Sequence, residues 1–139
     1  MSDAFHPPLR HVQSGDLDPE TAQSAGMRRL AAVSNKQVGS TKLWMGQAHV
    51  EPGLHSADHH HGEAETAIFV VSGTPEFVFL DGDEERRITA RPGDYVFVPP
   101  WVPHREENND PHVEAVVVVA RSTQEAIVVN LPSLRADLS

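Results

Sequence analysis

Residues 59–65 read His59-His60-His61-Gly62-Glu63-Ala64-Glu65, which places three imidazoles and two carboxylates within seven positions. Side chains at i and i+2 of an extended strand point to the same face. His59 and His61 therefore share one face, Glu65 joins them if the strand continues unbroken, and His60 points the opposite way. Nitrogen and oxygen donors at this density favour a divalent metal of hard or borderline character. The alternative is a solvated histidine-rich loop that binds metals only loosely.

The bulk composition narrows the class of protein. The chain has 139 residues, which suits one domain able to bury its own core. It contains no cysteine, so disulfides are excluded. The formal net charge of −9 and the lack of a basic stripe argue against nucleic acid as a partner. The pairs Arg28-Arg29 and Arg86-Arg87 are expected on the solvated surface.

Two stretches bear on location. Residues 1–8 lack the basic start and the apolar centre of a signal peptide. The longest apolar run, 115–120, is too short to span a bilayer. The expectation is a cytoplasmic protein that does not contact a membrane.

The chain divides into an arm and one domain. Residues 1–25 are polar and without a clear period, so they are predicted to form an N-terminal arm that lies loose or packs on a neighbouring subunit. A short helical turn over 19–25, capped by Asp18, fits that segment. Residues 26–139 are predicted to form a single barrel domain. Its apolar runs predict strands over 27–33, 43–50, 66–71, 75–80, 87–90, 95–98, 113–120 and 126–129. Short strands separated by Gly, Pro and Asp turns indicate an all-β sandwich or barrel.

A second motif lies further along the chain. Gly93, Pro99, His104 and Asn108 have the spacing of the second signature of the cupin superfamily, which this sequence resembles. The first signature runs Gly, five residues, His-x-His, three or four residues, Glu, six residues, Gly. The segment from Gly53 to Gly73 resembles it, with histidines at 59 and 61 and a glutamate at 65.

The resemblance implies a cupin-type double-stranded β-helix, a jelly-roll barrel, that holds one divalent transition metal. Carried over residue by residue, it implies that His59, His61, Glu65 and His104 are the ligands. Two positions of an octahedron then stay open for water, substrate or dioxygen. Iron is the favoured metal, and manganese, nickel, zinc and copper are the alternatives. Asn108 is expected to hold the loop after His104.

Two departures from the signatures carry expectations of their own. Seven residues rather than six separate Glu65 from Gly73, which implies a bulge or a slipped register within 66–72. Such a bulge near Glu65 would let Glu63 compete for the metal. Trp101 stands where the second signature has glycine. Because it adopts backbone angles less freely than glycine, it is expected to form a wall or lip near the site.

Three functions follow from this arrangement. An open metal position beside an apolar pocket favours an enzyme that acts on a small organic molecule, above all a dioxygenase-type oxidoreductase. A metal-dependent isomerase or lyase is the alternative, and it needs a separate acid–base residue. The candidates for that role are His49, His55 and Tyr95. A non-catalytic cupin that binds a small ligand is the third function. A sugar-nucleotide epimerase is disfavoured, because the strands carry few Arg or Lys residues for an anionic substrate.

The remaining expectations concern packing. Residues 116–119 are four valines, so both faces of this strand are expected to be buried, one in the core and one against a neighbouring subunit. The resemblance also favours a homodimer. Glu106 and Glu107 are expected to form a solvated pair. Six large apolar residues are expected mostly in the core: Trp44, Met45, Phe69, Phe77, Phe79 and Phe97.

Overall fold

Two antiparallel sheets of five strands each form the computed structural model, which describes residues 7–136. In chain order the strands are β1 (Met27–Val33), β2 (Trp44–Val50), β3 (His59–His60), β4 (Thr66–Ser72), β5 (Glu76–Asp81), β6 (Glu84–Thr89), β7 (Tyr95–Val98), β8 (His104–Glu107), β9 (Ala115–Arg121) and β10 (Val129–Asn130). The first sheet has the order β1-β2-β9-β4-β7 and the second the order β10-β3-β8-β5-β6. Strands far apart in sequence are therefore neighbours in both sheets, and the predicted all-β double-stranded β-helix is confirmed.

Side chains along the strands of the first sheet alternate between the interior and the outer face, and those that face the interior form the core. In β4, Thr66, Ile68 and Val70 are buried, whereas the residues between them are more exposed. Phe77 of the second sheet packs in the same apolar cluster, so the core lies between the two sheets. The buried members of this cluster are Met27, Ala48, Val50, Ile68, Val70, Phe77, Ala90, Val98, Ala115 and Val117.

Because of the same alternation, part of the predicted core is wrong. Trp44 and Phe77 are buried as expected. Met45 is 39% exposed and Phe97 is 58% exposed, because each alternates with inward-facing neighbours on its strand. Phe69 and Phe79 are half-buried.

The irregularity predicted within 66–72 is present at the far end of β4. Its pairing with β9 shifts register between Val70 and Ser72, whereas the pairs from Thr66 onward are continuous. Gly73 follows with φ 79°, and a Cβ there would lie 2.7 Å from the Ala115 Cα. The bulge therefore lies far from Glu65 and does not reorient it.

The described part of the arm packs on the domain itself. Asp18 and Ala31 exchange two backbone hydrogen bonds of 2.9 Å. The predicted helical turn over 19–25 is wrong: a short 3-10 helix spans Ser14–Asp16 instead. The Asp18 carboxylate accepts a hydrogen bond from the backbone N–H of Glu20, which forms a local turn rather than a helix cap.

One short α-helix, α1 (Asn35–Val38), follows β1 within the described residues. The Ser34 hydroxyl accepts from the Gln37 N–H at 3.1 Å, and Gly39 ends the helix in the left-handed conformation. Across residues 7–136, no helix is long and apolar enough to cross a membrane.

Candidate metal centre

Three histidines from two backbone segments meet in the interior. Pairing of β3 with β8 places His59 directly opposite His104. His61 follows two residues after His59. The ring centroids are 4.9 Å apart for His59 and His61, 4.5 Å for His59 and His104, and 5.0 Å for His61 and His104. One imidazole nitrogen from each ring lies within 4.8 Å of the other two.

A backbone carbonyl fixes the tautomer of each ring. Nδ1 lies 2.7 Å from the Ala57 carbonyl oxygen in His59, 2.8 Å from that of Ile127 in His61 and 3.0 Å from that of Val102 in His104. A carbonyl only accepts hydrogen bonds, so Nδ1 must carry the proton in all three rings. Each Nε2 is therefore left with a free lone pair. Such outer hydrogen bonds are the usual way in which proteins orient histidine ligands.

Burial keeps two of these rings neutral. It is the main reason that the pKa of His61 and the pKa of His104 are lowered to about 4, compared with 6.5 for an ordinary histidine. These pKa values include a smaller lowering by the charges that neighbouring histidines would carry, and the hydrogen bonds to the Ile127 and Val102 carbonyls oppose it. Both rings are unprotonated at neutral pH, which is the form that binds a metal.

The His104 Nε2 atom tests whether the site fits a metal. It is buried and has no hydrogen-bond partner. A buried polar atom without a partner costs free energy and calls for an explanation. A cation shared with His59 and His61 would satisfy it, so the three residues fit a divalent metal.

A cavity of about 470 Å³ opens beside the three rings. Its volume suits a small organic molecule. The apolar walls include Ile68, Val98, Val117 and Val119. Residues 22–25 of the arm also border the cavity, so the arm contributes to the site.

The sequence of this region matches a known family model. The cupin domain model covers residues 46–121. The chain is a cupin. No curated protein sequence matches it significantly.

Solved structures give the same fold. An oxalate oxidase in complex with glycolate is 19% identical, with a TM-score of 0.65 over 80% of this chain and 58% of its own. The oxalate decarboxylase of Bacillus subtilis, as the S161A mutant, is 24% identical, with a TM-score of 0.67 over 81% of this chain and 30% of its own. An uncharacterized Klebsiella pneumoniae protein with a double-stranded β-helix domain is 18% identical, with a TM-score of 0.65 over 90% of this chain and all of its own. This cupin therefore spans less than two thirds of the oxidase and decarboxylase chains.

Glu65, expected as the fourth ligand, lies outside the histidine group. The expectation required an unbroken strand from His59, but β3 ends at His60 and a turn with Gly62 at φ 59° follows. The next strand, β4, begins only at Thr66, and in the approach to it Ala64 and Thr66 are buried whereas Glu65 between them is exposed. Glu63 is also exposed and outside the group.

Thr66 takes the inward position instead. The first signature allows four residues between the second histidine and the acid, and in this cupin that spacing falls on Thr66. Six residues then separate it from Gly73, as in the signature. Thr66 is 7% exposed and lines the cavity beside the histidines. Among the described residues, the group that could hold a metal ion therefore consists of three imidazoles and includes no carboxylate.

The three candidate acid–base residues do not converge on the centre. His49 lies on the outer face of β2, where Nδ1 is 3.0 Å from a Glu114 oxygen. Tyr95 is 80% exposed on the edge strand β7 and stacks against Phe69. Strand alternation turns both side chains away from the cavity. Only His55 borders it, with Nε2 2.5 Å from the Asn109 side-chain oxygen.

Trp101 corrects a second expectation. It adopts φ 67°, the left-handed conformation of the glycine that it replaces. Its N–H donates to the Gly62 carbonyl at 2.8 Å, and its ring packs on His60 with centroids 5.6 Å apart. It is 62% exposed and does not line the cavity, so it covers the outer side of the histidine strand.

The end of β8 contains residues that sequence reasoning misjudged. Glu107 is buried and accepts from Arg105 at 2.7 Å and Arg87 at 2.6 Å. Burial raises the pKa of this carboxyl, but the hydrogen bonds from Arg105, Arg87 and Asn109 outweigh that effect and hold the pKa at about 2. Glu106 points the other way and lines the cavity. The two glutamates are therefore not a solvated pair.

Asn108 has the structural role expected of it. Its side chain is fully buried, and the two N–H groups of Nδ2 are shared among the carbonyl oxygens of Val50, Glu51 and Val113, which lie 3.0–3.2 Å away. These bonds connect the loop after β8 to the end of β2 and to the segment that precedes β9. The backbone that carries His104 is fixed as a result.

Proposed function

We propose that this cupin holds one divalent transition metal on the Nε2 atoms of His59, His61 and His104 and acts on a small organic molecule in the adjoining cavity. The observation that carries the proposal is the shared tautomer. All three rings donate Nδ1–H to backbone carbonyls, and the His104 Nε2 is buried without a partner.

The reaction we propose is oxidation of the substrate with dioxygen. Three imidazole ligands leave three positions of an octahedron open, which is enough for a bidentate substrate and a second small molecule. When bound, iron or manganese supplies Lewis acidity and one-electron chemistry. Imidazole donors are compatible with iron. Support for manganese comes from a similar structure, the Bacillus subtilis oxalate decarboxylase, which has Mn(II) centres.

The residues of this chain would bind the substrate and exclude water. The apolar walls remove solvent from the reacting end, which protects reactive oxygen species from side reactions. His61 and His104 stay unprotonated at neutral pH because burial lowers their pKa to about 4. Asn108 and the three carbonyls fix the rings before the metal arrives, so little reorganisation is needed.

A metal-dependent isomerase or lyase is the second candidate. One observation favours it: the cavity contains Glu106, whose carboxylate would move a proton on a bound substrate. His55 at the cavity border is an additional proton carrier.

Metal analysis tests the centre. Purified protein should contain close to one iron or manganese ion per chain, and His104→Ala should lose most of it. The matched control is His112→Ala, an exposed histidine that does not line the cavity. No metal in the wild-type protein after loading with either ion would end the proposal.

Oxygen uptake separates the two reactions. Ferrous- or manganese-loaded protein should consume oxygen with an enediol or diketone compound. Turnover without oxygen, lost in Glu106→Gln, would support the isomerase instead. Ligand binding without turnover in either atmosphere would identify a binding protein.

We also propose a homodimer. Val116 and Val118 lie on the outer face of β9, and exposed Val71 and Phe97 lie on neighbouring strands of the same sheet. Apolar side chains on one sheet face gain free energy when a second copy covers them. Light scattering should give twice the mass of one chain, and the monomer mass would refute the proposal.

A further inference from the structure

Two arginines point into the cavity rather than to the surface. Arg29 lies between the buried residues Met27 and Ala31 on β1 and shares their face by strand alternation. Arg121 ends β9 on the face of Ala115 and Val117. Both arginines line the cavity that the histidines border. Both Arg28 and Arg29 are expected on the solvated surface from the sequence, but only Arg28 is exposed.

Neither guanidinium has a carboxylate partner within 4 Å in residues 7–136. Arg29 donates to the Ser24 hydroxyl at 2.8 Å and to the Ala22 carbonyl at 3.4 Å. Arg121 donates to the carbonyls of Thr123 at 3.2 Å and Gln124 at 3.1 Å. By contrast, the other half-buried arginine of the described chain, Arg105, is paired with three acids. Neither half-buried guanidinium therefore has an ion-pair partner among the described residues, and only Arg29 is favoured by the more distant charge of Glu106, which also lines the cavity. A bound anion would offset the remaining cost of burying these two cations.

The two charges interact with one another. Burial, and to a smaller extent the charge of Arg29, lower the pKa of Arg121 to about 10. Burial also lowers the pKa of Arg29, and the charge of Glu106 offsets part of this effect. Both groups are still protonated at neutral pH, so their repulsion persists in the folded protein. A bound anion would remove it.

The position of Arg121 links this charge to the metal centre. It pairs across the sheet with Thr66, the inward residue beside the histidines. Its guanidinium carbon lies 4.0 Å above the Trp44 ring, which holds the side chain in place without neutralising it. Arginine presents a planar fork of donors that matches a carboxylate.

We propose that Arg29 and Arg121 form an anchor for a carboxylate, so that the substrate is a small organic acid whose other oxygen donors reach the histidine centre. This substrate class rests on the proposed function, whereas the anchor itself does not need the metal. The apolar walls between the two ends select a hydrocarbon body. The net charge of the protein makes such a local cationic site selective for a compact anion rather than for a polyanion.

Calorimetric titration with 3-phenylpropionate and its neutral amide tests the anchor. In both metal-free and metal-loaded wild-type protein, the acid should bind at least about tenfold more tightly than the amide, as expected for charge-assisted hydrogen bonds. Arg29→Met and Arg121→Met should each reduce this ratio several-fold, and the double variant should bring it near one. Metal content should not change. Arg28→Met is the matched control, because it alters the adjacent residue on the exposed face of β1.

Equal binding of acid and amide by the wild-type protein would overturn the anchor, and this result does not depend on how the variants fold. A preference for the acid that survives in the double variant would overturn it too. A preference that appears only with metal would place the carboxylate on the ion and also overturn it. An arginine-dependent preference in a protein that never binds metal would support the anchor and end the proposed metal function. The two failures are therefore distinguishable.

Discussion

Acidification of the metal-free protein is expected to destabilise the fold through His61 and His104. Burial holds the pKa of both rings at about 4 in the folded chain, against 6.5 for an ordinary histidine. Between these values the unfolded chain binds more protons than the folded chain, so stability falls as the pH drops. The contribution is complete above pH 6.5 and is lost progressively towards pH 4.

The magnitude follows from the two pKa values. At pH 5 an unfolded histidine is almost fully protonated, and each buried ring is still almost wholly neutral. Each ring therefore loses about 2 kcal/mol between pH 7 and pH 5, and the two together lose about 4 kcal/mol. Glu107 does not contribute in this window. Its pKa of about 2 lies below the ordinary 4.5, so its stabilisation is present above pH 4.5 and is lost only below it.

Urea denaturation of chelator-treated protein at pH 7, 6 and 5 measures the effect. His104→Phe keeps one buried titrating ring and should lose only about 2 kcal/mol over the same range. His112→Phe changes an exposed histidine and should lose the full amount. A wild-type loss below about 1 kcal/mol, or equal losses in the wild type and His104→Phe, would refute the reasoning.

Three further outcomes are expected. Thr66→Glu should raise metal affinity by about tenfold or more, since an added anionic ligand strengthens a cation site. Glu65→Gln should leave metal affinity unchanged. Competition with a chromogenic chelator measures the affinity of both variants. Trp101→Gly should be more stable than Trp101→Ala by about 1 kcal/mol in urea denaturation, because only glycine adopts φ 67° without strain; equal stabilities would contradict this. Asn108→Leu should lose about 3 kcal/mol or more, because the fully buried amide no longer donates to the carbonyls of Val50, Glu51 and Val113. A loss under about 1 kcal/mol in the same assay would show that these carbonyls find other partners.

Strand positions were predictable where local chemistry decides them. The β1 and β7 strands have the predicted bounds, since Gly or Pro turns precede apolar runs there. The last predicted strand, 126–129, is reduced to Val129–Asn130. The Ile127 carbonyl in this segment accepts from His61 rather than from a neighbouring strand. A residue's backbone partner depends on a distant segment, which no local pattern contains.

The same distinction between local patterns and distant pairing applies to the candidate site. Spacing was sufficient to select His59, His61 and His104, because motif positions fix which residues can be ligands. It was not sufficient for Glu65. The period-two argument holds only while a strand continues, and the turn at Gly62 breaks it. His49, Tyr95 and Arg29 were misplaced for a related reason: the face of a strand that becomes the interior is set by the sheet that packs on it.

The amino-acid order by itself determined the fold class, the cupin resemblance and the three imidazoles, because turn residues, apolar runs and motif spacings are properties of the chain alone. Tertiary structure decided the rest. It brought Thr66 instead of an acid to the inward position, oriented all three rings through carbonyls from separate loops, and enclosed two arginines in the cavity. These features depend on pairing between segments distant in the chain, and a single shift of register would have reversed which side chains face inward.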